Sequence, residues 1–134
     1  MINKLQLARS LTEAAEKQAQ DLDICIATTV VDEAGNLIAF SRMDGTQLAS
    51  STISQGKAYT AIAFVRPSME MFDVSQPGQT GYALQAIDSR FVFAGGGMPV
   101  HDGQTLIAAI GISGGTAEED QQCAEAALAS LNQE

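Results

Sequence analysis

Apolar residues recur at helical spacing in three stretches of the chain. In the first, apolar positions three and four apart alternate with Lys, Glu and Gln, which predicts an amphipathic helix over residues 3–20. A second stretch predicts a helix over about 49–65, which Pro67 ends. A third follows Thr116 and Glu119, whose spacing fits an N-terminal capping box, and predicts a further helix. Helices are therefore predicted on both sides of the strand-like segments.

Runs rich in β-branched and apolar residues predict the strands. Residues 24–31 and 37–42 flank a turn and predict an antiparallel hairpin. An Asp-Gly turn signal predicts a second hairpin over 100–105, and the continuous apolar run at 106–112 predicts a buried strand. Phe91–Phe93 predicts one more short strand. Helices and strands in this order predict an α+β fold with a five-stranded, mainly antiparallel sheet and helices packed on it.

Glycine is concentrated in two short clusters, within residues 95–97 and 111–115. Because glycine is unfavourable in regular structure, such clusters indicate positive φ angles or a backbone that another group approaches closely. Their N–H groups would suit an anion, and tight turns or close packing at a subunit contact explain them as well. The sequence contains neither GxxxxGK[ST] nor GxGxxG, which argues against a nucleotide site.

The charge balance narrows the choice of partners. Apolar residues make up 46% of the chain and the net charge is −9, so a globular protein is expected and a nucleic-acid or anionic-membrane partner is not. The sequence has neither an apolar run of membrane-spanning length nor the apolar core of a secretion signal, which predicts a cytoplasmic protein. A solvated helix face is predicted for the acidic residues near the C-terminus, which are Glu118, Glu119, Asp120, Glu125 and Glu134.

Cysteine and histidine are scarce. Cys25 and Cys123 lie far apart within apolar segments and are predicted to be buried free thiols. With His101 as its single histidine, the sequence offers neither a conventional zinc site nor a Ser-His-Asp arrangement.

Five segments, in order along the chain, resemble the GlcG/HbpS-like family, sometimes called the haem-degrading family. They are 31–37, 41–45, 54–61, 95–100 and 110–115. Asp120 also matches this family. The family in turn is similar to the C-terminal module of PduO-type proteins, whose N-terminal part is a cobalamin adenosyltransferase. That activity is not expected here. The resemblance implies a single α/β/α domain over residues 1–134 with a central antiparallel sheet, assembled as a homo-oligomer.

Some relatives in this family bind haem, so the resemblance implies haem or a related tetrapyrrole as the ligand. Six residues are candidates for the binding site: Lys57, Arg42, Gly96, Gly97, Met98 and His101.

Lys57 or Arg42 would meet propionates, and Met98 or His101 would approach the metal. Lys57 lies in an apolar stretch, and the alternative for it is a lysine that reaches solvent along the helix edge. Arg42 could contact a carboxylate in bidentate fashion or pair with Asp44 in a structural role. An axial contact to the iron would come from Met98 or His101. Their alternatives are a core side chain for Met98 and an exposed turn residue for His101.

The leading hypothesis is a small cytoplasmic haem- or tetrapyrrole-binding protein, an accessory in cofactor metabolism with a link to cobalamin. Two alternatives stay open. One is an enzyme acting on haem or on a small carbonyl compound, with Lys57 as a general base. The other is a non-catalytic assembly protein whose glycine segments are subunit contacts.

Overall fold

A computed structural model describes residues 2–132. The α-helices in this part of the chain are α1 (Lys4–Asp21), α2 (Ala49–Phe64), α3 (Ser68–Val74) and α4 (Ala117–Ser130). The strands are β1 (Ala27–Asp32), β2 (Leu37–Arg42), β3 (Gly97–Asp102) and β4 (Thr105–Ser113). A 3-10 turn over Leu84–Ala86 lies in the long connection between α3 and β3.

Side-chain oxygens cap the starts of α1 and α4, and a left-handed residue ends α2. Asn3 caps α1 by accepting a hydrogen bond from the backbone N–H of Gln6. Thr116 and Glu119 form the predicted capping box at the start of α4, with both reciprocal hydrogen bonds present. Val65 ends α2 in a left-handed conformation, with φ of 54°. The three long helices are therefore confirmed near their predicted bounds.

The strands form one antiparallel sheet in the order β2-β1-β4-β3. Alternate residues of β4 point to opposite faces, so Ile110 and Ile112 pack in a core with α1 and α4. Ala109 lies on the other face and packs with Ala58 and Ile62 of α2. Helices thus cover both faces of the sheet, which confirms the three-layer α/β/α arrangement implied by the family resemblance.

The prediction of a fifth strand is wrong. The described sheet has four strands, because residues 91–93 pair with no strand. The rings of Phe91 and Phe93 pack against aromatic neighbours instead. The ring of Phe91 lies 5.1 Å from that of Phe64 and 5.6 Å from that of Phe93, between ring centroids. Aromatic packing against the end of α2 has replaced the edge pairing that the three-residue apolar run suggested.

The two thiols have different surroundings. Cys123 is buried in the core beside α1, as predicted, and both cysteines are free. Cys25 is exposed, so its predicted burial is wrong. The reason is that β1 begins two residues later, at Ala27, which leaves Cys25 in the connection from α1. Among the described helices, none is both long and apolar enough to cross a membrane.

Candidate functional site

A buried ion pair joins α2 to α4. The Nζ of Lys57 lies 2.9 Å from Oδ2 of Asp120, and it also donates to the carbonyl oxygen of Ile112 at 2.8 Å. Lys57 is 3% exposed and Asp120 is 2% exposed. The other carboxylate oxygen of Asp120 accepts from the backbone N–H of Gly115 at 2.8 Å. Both charges are therefore compensated inside the protein.

Burial has opposite effects on the pKa values of the two partners. It lowers the pKa of Lys57, although the charge of Asp120 opposes that shift. It raises the pKa of Asp120, against the effect of the Lys57 charge and of the backbone N–H donors. Desolvation penalises the charged form of each group, and only the partner charge and the hydrogen bonds make an ionised pair acceptable there.

The glycine clusters are packed tightly around this pair. A Cβ on Gly97 would lie 2.7 Å from the Ser68 hydroxyl oxygen and 3.0 Å from the carbonyl carbon of Lys57. Gly96 has a φ of 127°, and a Cβ there would lie 3.1 Å from Cδ of Lys57 and would clash with the carbonyl of Ile112. Close backbone approach, one of the explanations left open by the sequence, accounts for these glycines.

The prediction that Asp120 lies on a solvated helix face is wrong. Glu118 and Glu125 are exposed, as predicted for that face, and Glu119 is half-buried, but Asp120 points to the core with Cys123. Residues 120 and 123 are three apart and share one face of α4, so helical phase separates Asp120 from its acidic neighbours. Glu134 lies outside the described residues.

Lys57, Gly96 and Gly97 are brought together by the structure, whereas Arg42 and His101 are not. Arg42 is exposed at the end of edge strand β2, where it donates to the carbonyl oxygen of Thr46. His101 is exposed near the β3–β4 turn, on the opposite edge and towards the opposite end of the sheet. These two side chains therefore cannot reach one ligand on a single copy of the chain.

Met98 faces the layer formed by α1 and α4. Its Sδ accepts a hydrogen bond from Nε2 of Gln121 at 3.2 Å, and Oε1 of Gln121 accepts from the N–H of Gly96 at 3.0 Å. Gln121 thus links two predicted site residues. It also lines a groove of about 530 Å³ between α3 and α4, called here the α3–α4 groove. Sequence patterning gave no sign of this role, since Gln121 lies among the acidic residues of a polar helix start.

The α3–α4 groove has an apolar wall and an acidic rim. Met69 and Phe72 on α3 supply the apolar wall, and both are about half exposed. The rim carries three carboxylates, those of Asp73, Glu118 and Glu125. Negative charge at three points makes this groove unfavourable for the carboxylate groups of a ligand.

A second cavity, called here the Tyr59 cleft, has a volume of about 380 Å³. It lies between α2, the β1–β2 hairpin and the loop before β3. Val31, Leu37 and Val92 give it an apolar wall, and Leu37 is 58% exposed. Tyr59 and Arg90 lie on its polar side, and Arg90 is the one basic residue among the described residues that line it.

A hydrogen-bonded triad fixes the polar side of the Tyr59 cleft. The guanidinium of Arg90 donates to both carboxylate oxygens of Asp88, from Nε at 3.1 Å and from Nη2 at 2.7 Å. Nη2 also donates to the Tyr59 hydroxyl at 2.8 Å, and that hydroxyl lies 3.1 Å from Oδ2 of Asp88. The guanidinium carbon lies 3.9 Å from the centre of the Tyr59 ring, so it also makes a cation–π contact.

The triad holds defined charges at neutral pH. Hydrogen bonds from Arg90 keep the pKa of the Asp88 carboxyl well below its usual range, so Asp88 is ionised. Desolvation and the hydrogen bond to Asp88 raise the pKa of the Tyr59 hydroxyl, so Tyr59 is a neutral phenol. Nη1 of Arg90 has no hydrogen-bond partner within residues 2–132 and remains a donor for a ligand.

Sequence reasoning missed the Tyr59 cleft because its polar side is built by a loop. Asp88 and Arg90 follow a segment whose helical pattern is weak, and they lie about 30 residues from Tyr59 in sequence. The sequence shows that Asp88 and Arg90 are two residues apart, but it does not show that they lie close to α2. That closeness depends on the packing of Phe91 beside Tyr59, with ring centroids 5.7 Å apart.

Comparison with known proteins places the chain in a family. The family model for "Haem degrading protein HbpS-like" matches residues 4–129. The chain is 39% identical over 125 residues to an uncharacterised 15.0 kDa protein encoded between dhaT and dhaS in Citrobacter freundii, covering 92% of this chain and 88% of that one. It is 37% identical over 123 residues to the corrinoid adenosyltransferase PduO of Salmonella typhimurium. That match covers 91% of this chain but 37% of PduO, so it spans only part of the enzyme.

The fold matches a solved complex with a tetrapyrrole. The crystal structure of a PduOC–haem complex superposes with a TM-score of 0.93 and 34% identity, covering 98% of this chain and 96% of that one. The resemblance inferred from the sequence segments is confirmed by the family match over nearly the whole chain. The chain belongs to the HbpS-like family.

Proposed function

We propose that the protein binds haem or a related tetrapyrrole in the Tyr59 cleft and serves as an accessory in cofactor metabolism, with a link to cobalamin. The observation that carries this proposal is the pairing of an apolar wall with a fixed guanidinium in one cavity. The relatives support the ligand class, since one is a PduOC–haem complex and another is a corrinoid adenosyltransferase.

The cleft suits a flat apolar ring that carries carboxylates. Val31, Leu37 and Val92 would contact the edge of the macrocycle, and the exposed side chain of Leu37 extends the apolar surface beyond the cleft. Nη1 of Arg90 would donate to a propionate. Asp88 holds the guanidinium in place before the ligand arrives, which lowers the entropy lost on binding.

The other candidate positions are less favourable on a single copy of the chain. The acidic rim of the α3–α4 groove repels propionates. The ammonium of Lys57 reaches a propionate only by leaving Asp120 and the Ile112 carbonyl, which would strand a buried carboxylate. The same burial argues against Lys57 as a general base towards an outside substrate.

Self-association is part of the proposal. Large apolar side chains are exposed on the loop before α2 and on the long connection before β3, where Leu48 is 84% exposed and Ile87 is 72% exposed. A second copy would cover such side chains, and it would extend the apolar surface that a macrocycle needs beyond the cleft. Light scattering on the protein with and without hemin measures the assembly directly.

Hemin titration tests the binding site. We expect a Soret shift that saturates, and an affinity about tenfold weaker in Arg90→Gln, because the variant loses a charge-assisted hydrogen bond to the propionate. Arg66→Gln is the matched control, since Arg66 is an exposed arginine that pairs with Glu70 at 3.7 Å and lies outside the cleft. The variants Met98→Ala and His101→Ala test the sequence-predicted iron ligands in the same titration.

Two results would overturn the proposal. Absence of any Soret shift in the unmodified protein refutes haem binding altogether. Equal affinity in Arg90→Gln and Arg66→Gln, with binding intact, moves the ligand out of the Tyr59 cleft.

A further inference from the structure

We infer that the hydroxyl oxygen of Tyr59 is the axial protein ligand to ferric iron when haem occupies the Tyr59 cleft. This inference rests on the proposed function, and it adds the identity of the atom that contacts the metal. Tyrosine is an established axial ligand of haem iron.

The position of the hydroxyl supports this role. Tyr59 lines the cleft, and its oxygen accepts one hydrogen bond from Nη2 of Arg90 while it donates its proton to Asp88. A phenol oxygen has two lone pairs, so one lone pair is left for a metal. The apolar wall that would receive the ring lies in the same cleft.

The ring of Tyr59 is fixed before any ligand binds. The guanidinium of Arg90 lies over the ring at 3.9 Å from its centre, and Phe91 stacks with the ring at an interplanar angle of 22°. Neighbours that orient a ligating side chain raise metal affinity because the ligand atom needs no reorganisation. Asp88 and Arg90 are therefore positioning residues for Tyr59.

The chemistry balances without an additional reactant. Ligation breaks the O–H bond of Tyr59 and forms a bond from the phenolate oxygen to ferric iron, with no change in oxidation state. The proton leaves along the hydrogen bond to Asp88 and passes to water. The ferric ion and Nη2 of Arg90, which lies 2.8 Å away, stabilise the charge that develops on the phenolate oxygen. The ionised carboxylate of Asp88, at 3.1 Å, opposes that charge and raises the pKa of the free phenol.

The sequence-predicted iron ligands are less suitably placed in this structure. The Sδ of Met98 faces α4 and is engaged by Gln121. His101 is exposed near the β3–β4 turn and lines neither the Tyr59 cleft nor the α3–α4 groove.

Reconstitution with hemin distinguishes these ligands spectroscopically. In the wild type we expect a phenolate-to-iron charge-transfer band in the visible spectrum and a high-spin ferric signal in electron paramagnetic resonance. Tyr59→Phe should lose the band and weaken hemin binding by about tenfold or more. Tyr82→Phe is the matched control, because Tyr82 is the other tyrosine and is 62% exposed outside the cleft.

A metal-free ligand separates ligation from packing. Protoporphyrin IX without iron should bind the wild type and Tyr59→Phe with similar affinity, since it has no metal to ligate. A variant that had simply misfolded would lose both ligands, and circular dichroism melting checks the fold independently. Tyr59→His should give an imidazole-type spectrum if the side chain faces the iron.

The failure of this inference is distinguishable from the failure of the proposed function. If hemin binds and Tyr59→Phe keeps the wild-type spectrum, Tyr59 is not the ligand, although haem binding stands. If the spectrum changes in Met98→Ala or His101→Ala instead, the ligand is that residue. If the wild type binds neither hemin nor protoporphyrin IX, the proposed function itself is refuted.

Discussion

Removing the charge of Asp120 should leave the buried ammonium of Lys57 without its counterion. In Asp120→Asn, the side-chain oxygen can still accept from the N–H of Gly115, so the change isolates the loss of charge. The Lys57 Nζ keeps the carbonyl of Ile112 but loses the carboxylate at 2.9 Å. Breaking a buried pair on one side costs about 3–5 kcal/mol of the free energy of unfolding.

For a chain of this size, that loss corresponds to a fall in Tm of roughly 10–20 °C. Thermal and urea unfolding at pH 7, followed by circular dichroism, measure it. Glu33→Gln is the control, because Glu33 pairs with Lys4 on the surface, where both side chains are substantially exposed. The control should lose much less stability than Asp120→Asn, because water screens an exposed ion pair.

The pH dependence of the same variant has a definite sign. Burial lowers the native pKa of Lys57 below the unfolded value of 10.5, and loss of Asp120 removes the charge that opposes this shift. Between the lowered pKa and 10.5, the unfolded chain binds more protons than the native protein, so the free energy of unfolding rises with pH. The stability deficit of Asp120→Asn should therefore shrink on going from pH 7 towards pH 10.

A second substitution tests the cause. Adding Lys57→Met to Asp120→Asn removes the stranded charge and should restore much of the lost stability, because an apolar side chain of similar length needs no counterion. A loss in Asp120→Asn no larger than that in Glu33→Gln, or a deficit independent of pH, would show that the pair is not the buried ionised contact described here.

Two further predictions follow from packing and burial. Gly111→Ala should lower the free energy of unfolding by about 1–3 kcal/mol or more, since the new Cβ would lie 2.5 Å from the backbone N of Ala58. Urea unfolding measures this loss, and a neutral effect would contradict the close contact between the sheet and α2. Burial raises the pKa of the Cys123 thiol to about 12, whereas Cys25 is exposed. A thiol reagent at pH 8 should therefore modify one thiol per native chain and two in denaturant. Rapid modification of both thiols in the native protein would refute the burial of Cys123.

Periodicity was sufficient for the layers of the fold but not for the loop after α3. Helices α1 and α4 bury apolar stripes, and β4 is a continuous apolar run, so local pattern and tertiary packing agree there. The segment at 91–93 is apolar for a different reason, because its rings pack on Phe64. Three apolar residues cannot distinguish a short strand from an aromatic contact.

The candidate site shows the same division. Lys57 was notable in sequence as a charge in an apolar stretch, but its partner lies 63 residues away on another helix. Asp120 was hidden among acidic neighbours, and only its helical phase relative to Cys123 indicated burial. The Tyr59 cleft depended on a loop whose path is set by tertiary contacts, so no local pattern could predict it.

The Lys57–Asp120 ion pair links the unfolding of the two outer helical layers. α2 and α4 cover opposite faces of the sheet, and the ion pair connects them past the end of β3, where Gly96 leaves room for the lysine stem. Lifting either helix from the sheet would expose one charge and strand the other in the interior. The two outer layers are therefore coupled as one cooperative unit, and local opening of one layer alone is disfavoured.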